Sequence, residues 1–251
     1  MSKLSGKVAI VTGGSRDIGR AVSVGLAKEG ASVVVNFLND ESAAQATLDE
    51  ITQAGGKAVI AKGDMTKPDD VSAVVQAALD NFGEEIHVLV NVTGGMVARK
   101  TLDEMDFDFF EHVMRLNVTS TFLATKAVVP HMPAGGAIVN FASQAGRDGG
   151  GPGASAYSAG KGAVMSFTRG MAKELGPKGI RVNSLCPGMI ATTFHDTFTK
   201  DEVRTNVANS TPLRRQGKAS ETADAAVYLA SDEASFITGA NIDINGGLFF
   251  S

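Results

Sequence analysis

Apolar residues along this chain come in two rhythms. Short, nearly unbroken runs rich in Val and Ile stand at Val8–Thr12, Ser32–Asn36, Lys57–Ala61, Val88–Asn91, Ala137–Asn140, Arg181–Leu185 and Asn241–Ile244. Continuous runs of this kind predict strands buried on both faces, because a half-exposed strand would alternate apolar and polar residues. Between them lie longer stretches with helical spacing: Ile18–Glu29, Glu41–Ala54, Asp69–Phe82, one long segment from Asp106 to Val129 that Pro130 and Pro133 stop, and Ser155–Leu175. Strand and helix taking turns is the βαβ rhythm, so the expected fold class is α/β: a doubly wound, seven-stranded parallel sheet with helices on both faces. In such sheets ligands bind beyond the carboxyl ends of the strands, which directs attention to the residues just after each run.

Composition narrows the picture. The chain has 251 residues, 23 basic and 27 acidic side chains and a formal charge of −4. Charges of both signs are interspersed, leaving no basic stripe for nucleic acid and no lysine-rich amphipathic segment for a membrane. The expected partners are a small molecule and other copies of the chain. One cysteine, Cys186, gives neither a disulfide framework nor a Cys-rich metal site, and the four histidines lack paired ligand spacing, so no metal is expected. No linker interrupts 1–251, which reads as one domain. Met1 to Val8 runs straight into the first strand without an apolar leader, so the cytoplasm is the expected location.

Two short motifs suggest chemistry. After the first strand comes Thr12-Gly-Gly-Ser-Arg-Asp-Ile-Gly19, and a helix follows at once. Glycine lets the backbone approach a pyrophosphate, and free amides at the helix start attract its charge. Farther on, Tyr157 and Lys161 are four residues apart in a helical segment, with Ser143 and Asn117 upstream. Residues i and i+4 share a helix face, so the ammonium would sit near the phenol and lower its pKa from the usual value of about 10.

With these pieces the chain resembles the short-chain dehydrogenase/reductase family from end to end. The matching positions are Thr12-Gly13 with Gly19, Asp64, Asn91 and Gly94, Asn117, Ser143, Tyr157 with Lys161, Pro187-Gly188 with Thr192, and Gly246-Gly247. The resemblance implies a Rossmann-type sheet and a nicotinamide cofactor held by Gly13, Ser15, Arg16, Ile18, Gly19, Asn36, Asp64, Met65, Asn91, Gly94, Tyr157, Lys161, Pro187, Gly188, Ile190 and Thr192. It implies that Tyr157 is the proton donor for carbonyl reduction, that Lys161 lowers its pKa and holds the nicotinamide ribose, that Ser143 binds the substrate oxygen, and that Asn117 completes a proton relay. Homotetramers are expected on the same ground.

Some positions depart from the family. Asp17 replaces a usual glycine and is expected to point outward and cap the following helix. His87 replaces a frequent aspartate and reads as structural. No carboxylate follows the second strand until Asp40, while Ser15 and Arg16 could meet a 2′-phosphate, so NADP(H) is favoured over NAD(H), for which Asn36 would serve the ribose. The substrate pocket is expected from Gly95, Ser143, Gln144, Arg147, Tyr157 and His195, covered by a lid over 189–215. Arg147 would suit a carboxylate, and the expected substrate is a small polar oxo compound such as an oxo sugar or deoxy-keto-uronate. Two rival readings are a 3-oxoacyl-carrier-protein reductase and a dinucleotide-binding sensor or scaffold without turnover.

Overall fold

The computed structural model describes residues 2–251. Its seven strands are β1 (Val8–Thr12), β2 (Ser32–Phe37), β3 (Lys57–Lys62), β4 (Val88–Asn91), β5 (Ala137–Phe141), β6 (Arg181–Pro187) and β7 (Asn241–Ile244). They form one sheet in the order β3-β2-β1-β4-β5-β6-β7, every neighbouring pair parallel. The order reverses between β1 and β4, which creates the crevice where such sheets bind ligands.

Alternation along the buried strands divides the core into two layers. Val11, Val33, Val35, Val90 and Val139 pack with Val22 and Leu26 of α1 (Asp17–Lys28) and Leu229 of α10 (Ala219–Ala230). Ile10, Val34, Leu89, Ile138 and Val182 turn to the other face, against Val74 of α3 (Pro68–Phe82), Ala124 of α5 (Ser120–Val128) and Leu175 of α7 (Ser155–Leu175). The remaining helices are α2 (Glu41–Gln53), α4 (Phe107–Met114), α6 (Ala145–Asp148), α8 (Thr193–Phe198) and α9 (Asp201–Ser210). Among the described residues no helix is long and apolar enough to cross a membrane.

The long helix expected from Asp106 to Val129 is present as one continuous run, with a π turn inside it. A π turn, Arg115–Thr119, separates α4 from α5. Side chains there compete for the backbone acceptors: Asn117 Nδ2 donates to Val113 O, Ser120 Oγ to Leu116 O and Thr121 Oγ1 to Asn117 O. Such insertions widen the helical ladder, and π turns concentrate at functional positions. His87 is structural, its Nδ1 accepting from Val8 N at 3.2 Å where β1 and β4 begin.

Candidate active site

A cleft of about 920 Å³ runs across the carboxyl ends of the strands and extends under the segment 192–198. At one end it is lined by Gly13, Ser15, Arg16, Ile18 and Gly19, the turn from β1 into α1. The fit of this turn is close. A Cβ at Gly19 would stand 2.0 Å from Gly13 O, so any other residue would push the helix off the turn. Arg16, the N-cap of α1, supplies no side-chain cap, which leaves the first amides of the helix free to meet an anion in the cleft. The residues present therefore fit a dinucleotide phosphate.

The geometry gives detail to two of the expected cofactor contacts and corrects the expected role of Asp17. Asn36 is buried, and its amide is committed to the protein: Oδ1 accepts from Gly13 N at 3.0 Å, and Nδ2 donates to Ala61 O and Gly63 O. Asn36 lines the cleft while its amide braces the turn. Asn91 does not line the cleft; its Nδ2 donates to Asn140 Oδ1 at 2.9 Å, and Asn140 in turn donates to Thr168 Oγ1 on α7. Asp17 does not cap α1. Its carboxylate reaches across to Thr193, accepting from Thr193 N at 3.0 Å and from Oγ1 at 2.5 Å. Asp64 and Met65 do line the cleft, with Asp64 Oδ1 accepting from Thr66 N and Oγ1.

The other end gathers Ser143, Tyr157, Lys161, Gly94 and Gly95. Tyr157 and Lys161 lie one turn apart on α7, and the ammonium stands 5.8 Å from the phenol ring centroid. Lys161 Nζ donates to Phe141 O at 2.7 Å, at the end of β5. Burial lowers its pKa to about 8. Burial also pushes the Tyr157 phenol up, with hydrogen bonding to Ser143 pulling the other way. The net direction is thus opposite to the expected depression of the phenol by Lys161, because desolvation of the phenolate outweighs the rest. A phenol and a hydroxyl side by side are two donors for one developing oxyanion.

Asn117 is fully buried and does not line the cleft. It clamps the loop after β4 in both directions, accepting from Gly95 N at 3.0 Å and donating to Gly95 O at 2.8 Å. A Cβ at Gly94 would stand 2.7 Å from Asn117 Oδ1 and 2.8 Å from Lys161 Nζ, which explains why glycine is needed there. The side-chain amide of Asn117 is thus satisfied by backbone groups.

Arg147 is the largest correction. Its Nε donates to Asp243 Oδ1 at 2.6 Å and its Nη2 to Asn241 O at 2.5 Å, both on β7. The pair is largely buried, with side-chain exposures of 14% and 15%, and Arg147 does not line the cleft. An arginine held by a carboxylate inside the protein is unavailable to one on a substrate. Gln144 and His195 do line it, together with Pro187, Gly188, Ile190 and Thr192. The His195 pKa is lowered to about 4, by burial first and then by Arg204 and Arg99, so the ring is neutral at ordinary pH.

The expected lid segment forms α8 and α9. Phe194 brings its ring to 5.8 Å from that of Tyr157, and Phe198 lies 5.1 Å from Phe194. Among the lining residues not read from the sequence are Val97, Arg99 and Leu116. Arg99 ties α8 to the loop before α7, donating to Phe198 O at 3.0 Å and to Pro152 O at 2.9 Å. Val97 adopts φ +66°, a conformation that a β-branched residue strongly resists, so residue type gave no hint of it.

A family model described as Enoyl-(Acyl carrier protein) reductase matches residues 13–249. The chain is 39% identical to glucose 1-dehydrogenase 2 of Bacillus subtilis, over 98% of this chain and 95% of that protein. It is 38% identical to the 3-oxoacyl-[acyl-carrier-protein] reductase of Synechocystis, over 99% of each. A solved blue fluorescent protein from a metagenomic library, in complex with NADPH, superposes with a TM-score of 0.92 at 33% identity, covering 99% of this chain and all (100%) of that one. A cleft at the β1–β4 switch, a glycine turn that tolerates no side chain and full-length similarity to dehydrogenases and reductases agree: the protein is an oxidoreductase of the short-chain dehydrogenase/reductase family.

Proposed function

We propose that this protein reduces the carbonyl of an uncharged compound with a sizeable apolar part, using NADPH. The observation that carries the reading is the wall around Tyr157 and Ser143: Phe194, Phe198, Leu116, Met96 and Val97 line it. Arg147 is paired with Asp243, His195 is neutral, and Arg99 spends its Nε and Nη1 on two backbone carbonyls. With Arg147 committed to Asp243 and absent from the lining, a keto-uronate loses the anchor that the sequence offered it.

The dinucleotide, when bound, supplies hydride to the carbonyl carbon. The chain does the rest. Tyr157 and Ser143 donate hydrogen bonds to the carbonyl oxygen as negative charge develops there, and the Tyr157 phenol gives up its proton. The phenol is high in pKa before reaction, which keeps it protonated and ready as an acid. Lys161 would hold the nicotinamide ribose, and its positive charge eases formation of the phenolate. Phe194 and Phe198 exclude water from the reacting end.

The preference for NADPH rests on the mouth beyond β2. Arg16 is exposed there and lines the cleft. Asp40, the first carboxylate after β2, is committed as the N-cap of α2, accepting from Ala43 N at 3.0 Å and Ser42 Oγ at 2.8 Å. A phosphate beside Arg16 is favoured, whereas a ribose diol finds no free acid. The α4 and α5 surfaces carry exposed Phe107 (75%) and Phe122 (43%), which supports assembly into a homotetramer through these helices.

The test is steady-state oxidation of NADPH and NADH against aryl ketones, oxo sugars, keto-uronates and acetoacetyl thioesters. The expected result is the highest kcat/KM for an aryl ketone with NADPH. A keto-uronate or a carrier thioester as the best substrate would overturn the substrate class, and a preference for NADH would overturn the cofactor assignment.

A further inference from the structure

We propose that Asp17 is a positioning residue that clips the lid to the cofactor turn, so that dinucleotide release requires this clip to open. The proposal rests on the reading that the cleft holds a nicotinamide dinucleotide. Asp17 adopts φ +50°, a left-handed conformation that most side chains avoid and glycine accepts freely. Nothing about the turn itself needs an acidic side chain, and a carboxylate beside a phosphate cradle is electrostatically adverse. Its compensation lies 176 positions along the chain, where both carboxylate oxygens are bonded by the amide and hydroxyl of Thr193.

Thr193 is the first residue of α8, and the preceding Thr192 gives this helix no side-chain cap, spending its hydroxyl on Ile190 O. Asp17 therefore satisfies the leading end of the lid from outside it. Asp17, Thr192, Thr193 and Phe194 all line the same cleft, so the bond joins its two sides above the floor of strand ends. The next residue, Phe194, rests against Tyr157. One carboxylate thus links the turn that receives the phosphates to the helix that covers the reacting phenol. When the clip is closed the dinucleotide is enclosed and the aromatic wall is in place; when it opens, both are freed together.

The experiment measures dissociation of the dinucleotide that the wild type binds, NADPH and NADH both being tried, by stopped-flow fluorescence. It compares wild type with Asp17→Gly, Asp17→Asn, Thr193→Val and the Asp17→Gly/Thr193→Val pair, and adds KM and kcat for the carbonyl substrate and thermal unfolding. The clip predicts that Asp17→Gly and Thr193→Val each speed release by about tenfold, with the double variant no faster than either single one. Asp17→Asn, which keeps an acceptor for Thr193 N–H, should fall between. Carbonyl KM should rise by a larger factor than kcat falls, while Asp17→Gly should unfold cooperatively within a few degrees of wild type, relief of the left-handed conformation offsetting the lost bonds to Thr193. A different pattern overturns the proposal: if Asp17→Asn matched Asp17→Gly and Thr193→Val were silent, only charge would be at work. Release unchanged in every variant would also sink it, as would additive effects. If the wild type bound neither dinucleotide, the cofactor reading itself would fall, a result separable from the others.

Discussion

At the β1–β2 end of the cleft the protein presents backbone, and at the β5–β6 end it presents side chains. The first is shaped by what cannot be there: a Cβ at Gly19 would lie 2.0 Å from Gly13 O, and the Asn36 amide is spent bracing Gly13 from behind. The second is assembled from Ser143 after β5, Tyr157 and Lys161 on α7, Leu116 in the π turn, and Phe194 and Phe198 on the lid. A backbone cradle recognises a phosphate through amides that any sequence carries, so it is specified by steric exclusion. A side-chain pocket can be re-specified by substitution, and it is where one member of a family differs from another.

The sharpest division between the ends comes from removing the acid. Tyr157→Phe should lower turnover by a factor of about 10²–10⁴, the usual contribution of a positioned proton donor, while dinucleotide affinity measured by fluorescence titration changes little. Gly19→Ala should do the reverse. Displacing a binding group by about 1 Å can cost about 10²-fold, so dinucleotide binding should weaken by about that factor, read in the same titration. If Gly19→Ala bound normally, the cradle would not be the phosphate site.

A smaller effect tests the wall. Phe194→Ala and Phe198→Ala should each reduce kcat/KM for an aryl ketone by about tenfold, consistent with about 1–3 kcal/mol for a pocket contact, without changing cofactor choice. Proton linkage separates the ends differently. Lys161 has its pKa lowered to about 8, so its charge is present below that pH and is lost above it. The kcat/KM for the dinucleotide, which reports the free enzyme, should fall as pH rises through about 8. It should show no histidine limb between pH 5 and 7, because His195 takes up a proton only near 4. The smallest effect belongs to Arg147→Gln: about 1–2 kcal/mol less stability by urea unfolding, from loss of the pair with Asp243, and a carbonyl KM within about twofold of wild type.

The same contrast explains what could be read in advance. The sheet was legible because Val33 to Val35 and Val88 to Val90 are continuous apolar runs, and burial on both faces leaves few other folds for them. The cradle was legible because steric exclusion writes itself as glycine. Position at a strand end was legible for Asn36 and Asn91, yet the destination of each amide was not, since it depends on neighbours brought up by other strands. Arg147 was misread for the same reason: Asp148 is next to it in sequence, but the partner is Asp243, 96 positions away. The π turn at Arg115–Thr119 was hidden because its residues keep a helical apolar rhythm while Asn117, Ser120 and Thr121 divert carbonyls that only the folded helix exposes.

The chain of amides from Asn91 through Asn140 to Thr168 also bears on how this protein could be recombined with its relatives. These three side chains key β4, β5 and α7 to one another, and Thr168 lies two turns beyond Lys161 on the helix that carries Tyr157. Sliding that helix along the sheet by one turn would leave Asn140 facing Val164 or Ala172 in a dry interior, a costly mismatch. A chimera that imports α7 from another chain would therefore inherit the height of its phenol above the strand ends from whatever residue stands opposite position 140. Helix and strand would have to be exchanged as one cassette.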